Sequence, residues 1–171
     1  METNEDLKKY FNSKEYHTAI VGADNYENDD ADLDKDKIAT LISLLADPKN
    51  KEVKEETLLT LKKEKGSDLL IAAIKSKKAK ENKHILIAAC WESEINFSNY
   101  LLFFTDLAVD TDYLVSLEAI TVIENMEGPF KKDELTTAIQ KIKEEQKKIN
   151  SERLVLYNDL VDTLSNFLSK E

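Results

Sequence analysis

The stretch Asp110-Thr111-Asp112-Tyr113-Leu114-Val115 begins a pattern that extends to Met126. Its start is acidic and turn-forming, which is typical of the first residues of a helix. Aliphatic and small residues then recur three or four positions apart, the spacing that places side chains on one face of an α-helix. These residues are Val115, Ala119, Val122, Ile123 and Met126. The stretch therefore predicts an amphipathic helix over residues 110–126.

Two earlier stretches follow the same template at a similar spacing. One begins at Asp47-Pro48 and continues through Val53, Thr57, Thr60 and Leu61, and a less regular one runs from Lys80 through Ile85, Ala88 and Ala89 to Glu92. The equivalent residues Val53, Ile85 and Val115 are 32 and 30 positions apart. A period of about 30 residues with helical faces predicts stacked helix pairs, because one pair cannot bury its apolar face alone.

Short breaks divide residues 36–171 into eight predicted helices, or four hairpins. The predicted breaks are Pro48, Gly66, the lysine-rich segment 75–80 and Gly128-Pro129. Predicted N-caps are Ser67 or Asp68, Ser98 and Ser151. We predict two domains: an N-terminal extension over residues 1–35, with one or two short helices before an acidic linker, and a repeat domain over residues 36–171.

The composition favours a helical domain and argues against several classes of partner. Of 171 residues, 42% are apolar and 34% are charged, while three glycines and two prolines are few for a sheet-rich fold. The net charge of −10 argues against binding to nucleic acid or to a membrane surface. We see no signal peptide, no apolar run of membrane length and only one cysteine, and we therefore expect a cytoplasmic location.

The repeated template resembles HEAT-like repeats of the short bacterial type. In those repeats the second helix opens with Asp, often Asp-Pro, and continues with Val and small residues three and four positions apart. Asp110 through Ile123 follows this closely, Asp47-Pro48 through Leu61 has one extra residue before Val53, and the copy at Ile85 lacks the acidic start. The resemblance covers about residues 36–169. It implies an all-α fold, a right-handed α-α superhelix of about four hairpins, a family architecture that hosts many binding functions.

Residues able to support catalysis or to bind a metal are scarce. The acidic run from Asp30 to Asp36 resembles the start of a calcium loop, but Lys35 and Leu41 stand where such a loop needs Gly and Glu. His84 and Cys90 are six positions apart, which is off the spacing that brings ligands together on a helix. We predict no catalytic, cofactor-binding or metal-binding residues, and therefore no enzymatic activity.

The distribution of charge is the most unusual feature of the sequence. Residues 84–130 contain eight acidic residues and no Lys or Arg, whereas residues 49–83 contain eleven lysines and six acids. In a solenoid these segments are successive layers, so the pattern predicts a basic zone beside an acidic zone. Aromatic residues share the acidic stretch, and they suit either a partner-binding patch or a helix-packing core. We expect most of them to pack in the core.

We interpret the chain as a non-catalytic interaction module, or scaffold, that binds another protein through a concave, acidic and aromatic surface. The partner expected from this charge is a basic or amphipathic segment. Candidate partner-binding residues are Trp91, Glu92, Glu118, Thr121 and Glu124. The alternative is self-assembly into a homo-oligomer, in which the basic layer of one copy meets the acidic layer of another. Less favoured is a lyase or a nucleic-acid-processing activity, which some HEAT-like proteins have.

Overall fold

The computed structural model describes residues 35–46, 51–63, 66–110, 112–149 and 152–170. Within these ranges the chain forms eight α-helices and two short 3-10 turns, with no β-strand. The prediction of an all-α fold is therefore confirmed. The predicted N-terminal helices and most of the predicted acidic linker lie outside the described residues, as does the predicted cap Ser151.

The helices follow the predicted order, and the predicted breaks at Gly66, within residues 75–80 and at Gly128-Pro129 each separate two consecutive helices. They are α1 (Lys35–Ala46), α2 (Lys51–Lys63), α3 (Ser67–Lys75), α4 (Lys83–Glu92), α5 (Leu101–Ala108), α6 (Tyr113–Glu124), α7 (Lys132–Gln146) and α8 (Glu152–Lys170). The 3-10 turns are Lys77–Ala79, between α3 and α4, and Ser98–Tyr100, before α5.

These helices belong to two compact units, divided between Ile95 and Asn96. In unit 1, helix α1 packs against α2, α3 and α4, while α3 packs against α4. The fully buried core of unit 1 is aliphatic and includes Leu41, Leu61, Leu70, Ile74, Leu86 and Ile87. The domain boundary predicted after residue 35 stays a prediction, because its N-terminal side lies outside the described residues.

Unit 2 consists of two helical hairpins packed in register. Helices α5 and α6 form the first hairpin and α7 and α8 form the second, while α5 also packs on α7 and α6 on α8. Each helix therefore contacts both its neighbour within the hairpin and its counterpart in the next hairpin. Their shared core includes Phe104, Ile123, Leu135, Ile142, Leu160 and Leu164, all fully buried. This burial of apolar area is the main force that holds the two hairpins together.

Local hydrogen bonds define the start of α6 as the sequence predicts. The carboxylate of Asp112 accepts hydrogen bonds from the backbone N–H groups of Leu114 at 2.9 Å and Val115 at 3.2 Å. Asp112 has extended backbone angles, so it is the N-cap of α6. The chain turns before it because Asp110 accepts a hydrogen bond from the Asp112 N–H at 3.0 Å.

Two of the predicted caps are wrong. Gly66, and not Ser67 or Asp68, is the N-cap of α3, and it makes no side-chain cap. The hydroxyl of Ser98 instead accepts a hydrogen bond from the Gly128 N–H at 2.9 Å, which fixes the loop before α7 against the entrance to α5. Asn96 adds a second link, since its amide donates to the Gly128 carbonyl at 2.6 Å. A distant backbone partner therefore replaces the local one that capping requires.

Gly66 is required because α2 and α3 approach each other closely at this position. Its N–H donates to the Leu61 carbonyl at 2.8 Å. A Cβ atom at residue 66 would lie 2.5 Å from Leu61 Cδ2, well inside van der Waals contact. Because Leu61 is fully buried, it has little space into which to move. The sequence signal for a break at Gly66 therefore reflects a steric need as well as a helix end.

Candidate partner-binding surface

The five predicted partner-binding residues lie on two helices, and these helices belong to different units. Trp91 and Glu92 are at the end of α4 in unit 1. Glu118, Thr121 and Glu124 are on α6 in unit 2. Each helix is therefore considered with the neighbours in its own unit.

On α4 the acidic side chains lie beside lysines of α2. Lys54 Nζ is 2.9 Å from Glu92 Oε1 and 2.6 Å from Oε2, and the first contact has hydrogen-bond geometry. Both side chains are largely buried, with exposed fractions of 29% and 26%. Just beyond the helix, Glu94 forms an exposed ion pair with Lys62. These contacts neutralise the acids that the sequence assigned to a partner-binding surface.

The predicted contrast between a basic and an acidic zone is therefore reduced by ion pairs. Two lysines of the basic segment, Lys54 and Lys62, pair with Glu92 and Glu94 of the acidic segment. In unit 2, Lys141 of α7 pairs with Asp106 of α5. Segments that are segregated in sequence become neighbours in space, where their charges partly cancel.

Helix α6 presents a different surface. Its buried face consists of Val115, Ser116, Ala119, Ile120, Val122 and Ile123. The opposite face exposes two adjacent large side chains, Tyr113 at 50% and Leu114 at 47%. Further along the same face, Leu117, Glu118 and Thr121 are half-buried and Glu124 is exposed. This outward face of α6 combines apolar and acidic side chains, and the helix contains no Lys or Arg.

Buried hydrogen bonds hold α6 and α8 to the end of α5. Ser116 of α6 donates its hydroxyl to the Ala108 carbonyl at 2.5 Å. Tyr157 of α8 donates to the same carbonyl at 3.1 Å. Ala108 is the last residue of α5, so its carbonyl has no partner within that helix. Two helices are thus anchored on one backbone oxygen without using any charged side chain.

A cation fixes the N-terminal end of the outward face. Arg153 Nη1 donates to the Asp110 carbonyl at 2.6 Å. The guanidinium carbon also lies 5.6 Å from the ring centroid of Tyr113. This is within the range of a cation–π interaction, which is worth about 0.5–1 kcal/mol at an exposed site. The positive charge of Arg153 therefore lies beside the apolar end of the face.

Two acids meet at the C-terminal end of the face. Burial of its carboxyl group raises the pKa of Glu124, and the negative charge of Asp159 on α8 raises it further. Because α6 packs on α8, these carboxylates come from adjacent helices. Glu124 is also the last residue of α6, where the helix macrodipole is negative. This end of the face is a site of concentrated negative charge.

Packing in the core accounts for Cys90, Phe97 and Phe104. Cys90 is fully buried, its Sγ lies 3.5 Å from the Leu86 carbonyl oxygen, and burial raises the pKa of its thiol well above the usual value. Among the described residues, no group of three or more His, Cys, Asp or Glu side chains is arranged to hold a metal ion. Phe97 and Phe104 are buried and meet edge to face with ring centroids 5.7 Å apart. These two aromatic residues pack in the core.

The sequence did not point to Tyr113, Leu114 and Leu117 of the outward face, or to Asp159 beside it on α8. Tyr113 and Leu114 belong to the helical template, but they lie on a different side of the helix from the buried residues that begin at Val115. Their positions around the helix could therefore have predicted that they are exposed. Asp159 carried no such signal, because it is 35 positions from Glu124 and only the packing of α8 brings it near.

Comparison with protein-family models, with curated proteins and with solved structures gave no match. In the part of the chain that the structure describes, no helix is both long enough and apolar enough to cross a membrane.

Proposed function

We propose that this protein is a non-catalytic interaction module that binds a basic, amphipathic segment of another protein on the outward face of α6. The observation that carries the proposal is the pairing of two exposed apolar side chains, Tyr113 and Leu114, with the acidic end formed by Glu124 and Asp159. A few well-buried anchor side chains, most often Trp, Tyr and Arg, supply most of the binding energy at protein interfaces. The acids attract a basic partner and increase its rate of association.

The magnitudes favour apolar contact as the main source of affinity. Burying an exposed leucine side chain completely contributes about 1.5–3 kcal/mol, whereas an exposed ion pair contributes about 0–1 kcal/mol. Leu114 and Tyr113 are each about half exposed, so each can bury substantial further area. The acids then act mainly on the choice of partner and on its orientation.

For the architecture, we propose a HEAT-like superhelix of helical hairpins. The layering in unit 2 supports this proposal, since α5 packs on α7 and α6 packs on α8. In a repeat protein of this kind the corresponding helices of successive hairpins form a continuous surface, which commonly serves as a binding face. An experimental structure of the chain tests the proposal. A closed bundle in place of successive stacked hairpins would rule it out.

Peptide binding to the full-length protein tests the proposed function. The probe is a fluorescein-labelled, 16-residue helical peptide with leucines along one face and lysines beside them, and fluorescence anisotropy measures its Kd. We expect the Glu118→Lys/Glu124→Lys variant to bind at least tenfold more weakly than the wild type. The matched control, Asp133→Lys/Glu144→Lys, makes the same change in net charge on exposed positions of α7 and should bind like the wild type.

Two outcomes would overturn the proposed function. If both variants lose affinity equally, the peptide responds to net charge and not to the outward face of α6. If the wild type binds no peptide but forms oligomers that Glu118→Lys/Glu124→Lys abolishes, the occupant of the face is a second copy of the chain. Light scattering at low and high salt detects the second outcome.

A further inference from the structure

From the distribution of charge along α6, we infer that the partner segment docks in one orientation. Its apolar anchor lies at the N-terminal end of α6, on Tyr113 and Leu114, and its basic residues lie at the C-terminal end, beside Glu124 and Asp159. The inference rests on the proposed function and adds to it the internal order of the partner: apolar and basic residues in separate halves of the segment.

The N-terminal end of the face favours apolar groups and disfavours cations. Tyr113 and Leu114 supply the exposed apolar area. The Arg153 guanidinium lies over the Tyr113 ring, so a lysine or arginine of the partner would meet a like charge there. Two acids lie at this end: Asp112 caps α6 by accepting two backbone hydrogen bonds, and Asp110 accepts one from the Asp112 N–H. Binding a partner's cation there would compete with the cap.

The C-terminal end has the opposite character. Glu124 of α6 is an acid whose ionised form is disfavoured by partial burial and then by the negative charge of Asp159 on α8, and a cation bound beside Glu124 would favour that ionised form. The negative end of the α6 macrodipole adds to the attraction within the last turn. A reversed segment would place its apolar anchor against these carboxylates and its cations against Arg153, so both ends would be mismatched.

The length of α6 sets the spacing within the partner. Leu114 and Glu124 are ten residues apart, which corresponds to about 15 Å along the helix at 1.5 Å per residue. A helical partner lying along α6 therefore needs about ten residues between its apolar anchor and its basic group. We infer a helical segment because the exposed and half-buried side chains from Tyr113 to Glu124 follow one side of α6, so a helix lying along α6 can reach both ends of the face.

Two peptides of identical composition test the inference on the wild-type protein. The split peptide has its leucines in the first third and its lysines in the last third, while the mixed peptide alternates the same residues. We expect the split peptide to bind about tenfold more tightly, a difference of about 1.4 kcal/mol. Equal Kd values, with both peptides bound, would overturn the inference but leave the proposed function standing. Failure of both to bind would overturn the proposed function, and the inference with it.

Paramagnetic labelling tests the orientation directly. A nitroxide at the lysine end of the split peptide should broaden the amide resonances of Glu124 and Asp159 more than those of Tyr113 and Leu114. Moving the nitroxide to the leucine end should reverse the effect. Equal broadening at both ends, or broadening in the opposite order, would contradict the inferred orientation. The Glu124→Gln/Asp159→Asn variant should bind the split peptide several-fold more weakly, while Asp133→Asn/Glu144→Gln on α7 makes the same change in net charge and serves as the matched control.

Discussion

Different contacts surround the acids of α4 and its C-terminal turn in unit 1 and the acids of α6 in unit 2. In unit 1, α2 and α4 are joined by the ion pairs Lys54–Glu92 and Lys62–Glu94. In unit 2, α6 and α8 are anchored by the hydroxyl groups of Ser116 and Tyr157, which share the Ala108 carbonyl. The acids of α4 are therefore used within the fold, whereas α6 is positioned without using Glu124.

This difference explains why one acidic stretch in the sequence gives two kinds of surface. Glu92 faces a lysine, and the pair is largely buried. The charged form of Glu124 is disfavoured by partial burial and then by the negative charge of Asp159. An acid held by a lysine stabilises the fold, while an acid held near another acid gains most when an external cation binds. The comparison therefore favours α6 over α4 as the site of the proposed basic partner.

The largest effect should come from the buried hydrogen bonds of unit 2. Ser116→Ala and Tyr157→Phe should each lower the free energy of unfolding by about 1 kcal/mol, because each leaves the Ala108 carbonyl with one remaining partner. The double variant should lose about 3 kcal/mol, more than the sum, because this buried carbonyl then lacks both hydroxyl donors. Urea denaturation measures all three. If the stability losses of the two single variants simply add in the double variant, the Ala108 carbonyl does not act as a shared acceptor. Ser165→Ala on α8 is the control.

Reversing the charge of one acid in each unit should have an effect of intermediate size on the free energy of unfolding, and the effect should differ between the units. Glu92→Lys places a second cation against Lys54 in a largely buried site and should lower the free energy of unfolding by about 1–3 kcal/mol. Glu124→Lys places a cation beside Asp159 and should leave stability within about 0.5 kcal/mol of the wild type or raise it. Thermal or urea unfolding of the two variants makes the comparison. Equal destabilisation would show that Glu124 also stabilises the fold.

The smallest predicted effect is the dependence of folding stability on pH. The pKa of Glu124 is raised by burial and by Asp159, so the folded protein retains a proton that the unfolded chain has lost. Its contribution to stability is therefore fully present below the ordinary glutamate pKa and is lost as pH rises through the folded value. The pKa of Glu94 is lowered, first by its hydrogen bond to Lys62 and then by the charge of that lysine. Its contribution is present above the ordinary pKa and is lost as pH falls.

Carboxyl NMR titration should therefore place the midpoint of Glu124 above the usual glutamate range and that of Glu94 below it. The variants Glu124→Gln and Glu94→Gln should change the pH dependence of the urea midpoint in opposite directions. Midpoints in the reverse order would remove the electrostatic difference between the two units on which the comparison depends.

Several elements could be predicted because their causes are local. The helix that begins after Asp112, the break at Gly66 and the separation at Gly128-Pro129 each follow from neighbouring residues. The caps at Ser67 or Asp68 and at Ser98 were predicted wrongly. In the case of Ser98, a backbone group 30 positions away, the Gly128 N–H, competes for the hydroxyl. Local propensity could not include that competitor.

The candidate surface shows the same limit. The sequence identified α6 as an amphipathic helix and assigned Glu118, Thr121 and Glu124 to its outer side. It also assigned Trp91 and Glu92 to a binding surface, without indicating that Lys54 lies beside Glu92, 38 positions earlier in the chain. Both assignments to partner binding stay predictions until the peptide experiments are done.

The sequence by itself determined the helical content and the position of the breaks, because hydrophobic spacing and turn chemistry act over a few residues. Only the tertiary structure decided which charges meet. Coulomb interactions depend on distance in space and on exposure to water, and neither is contained in the order of residues. The chain therefore encodes an acidic segment, while its folding places Glu92 beside a lysine and Glu124 beside an aspartate.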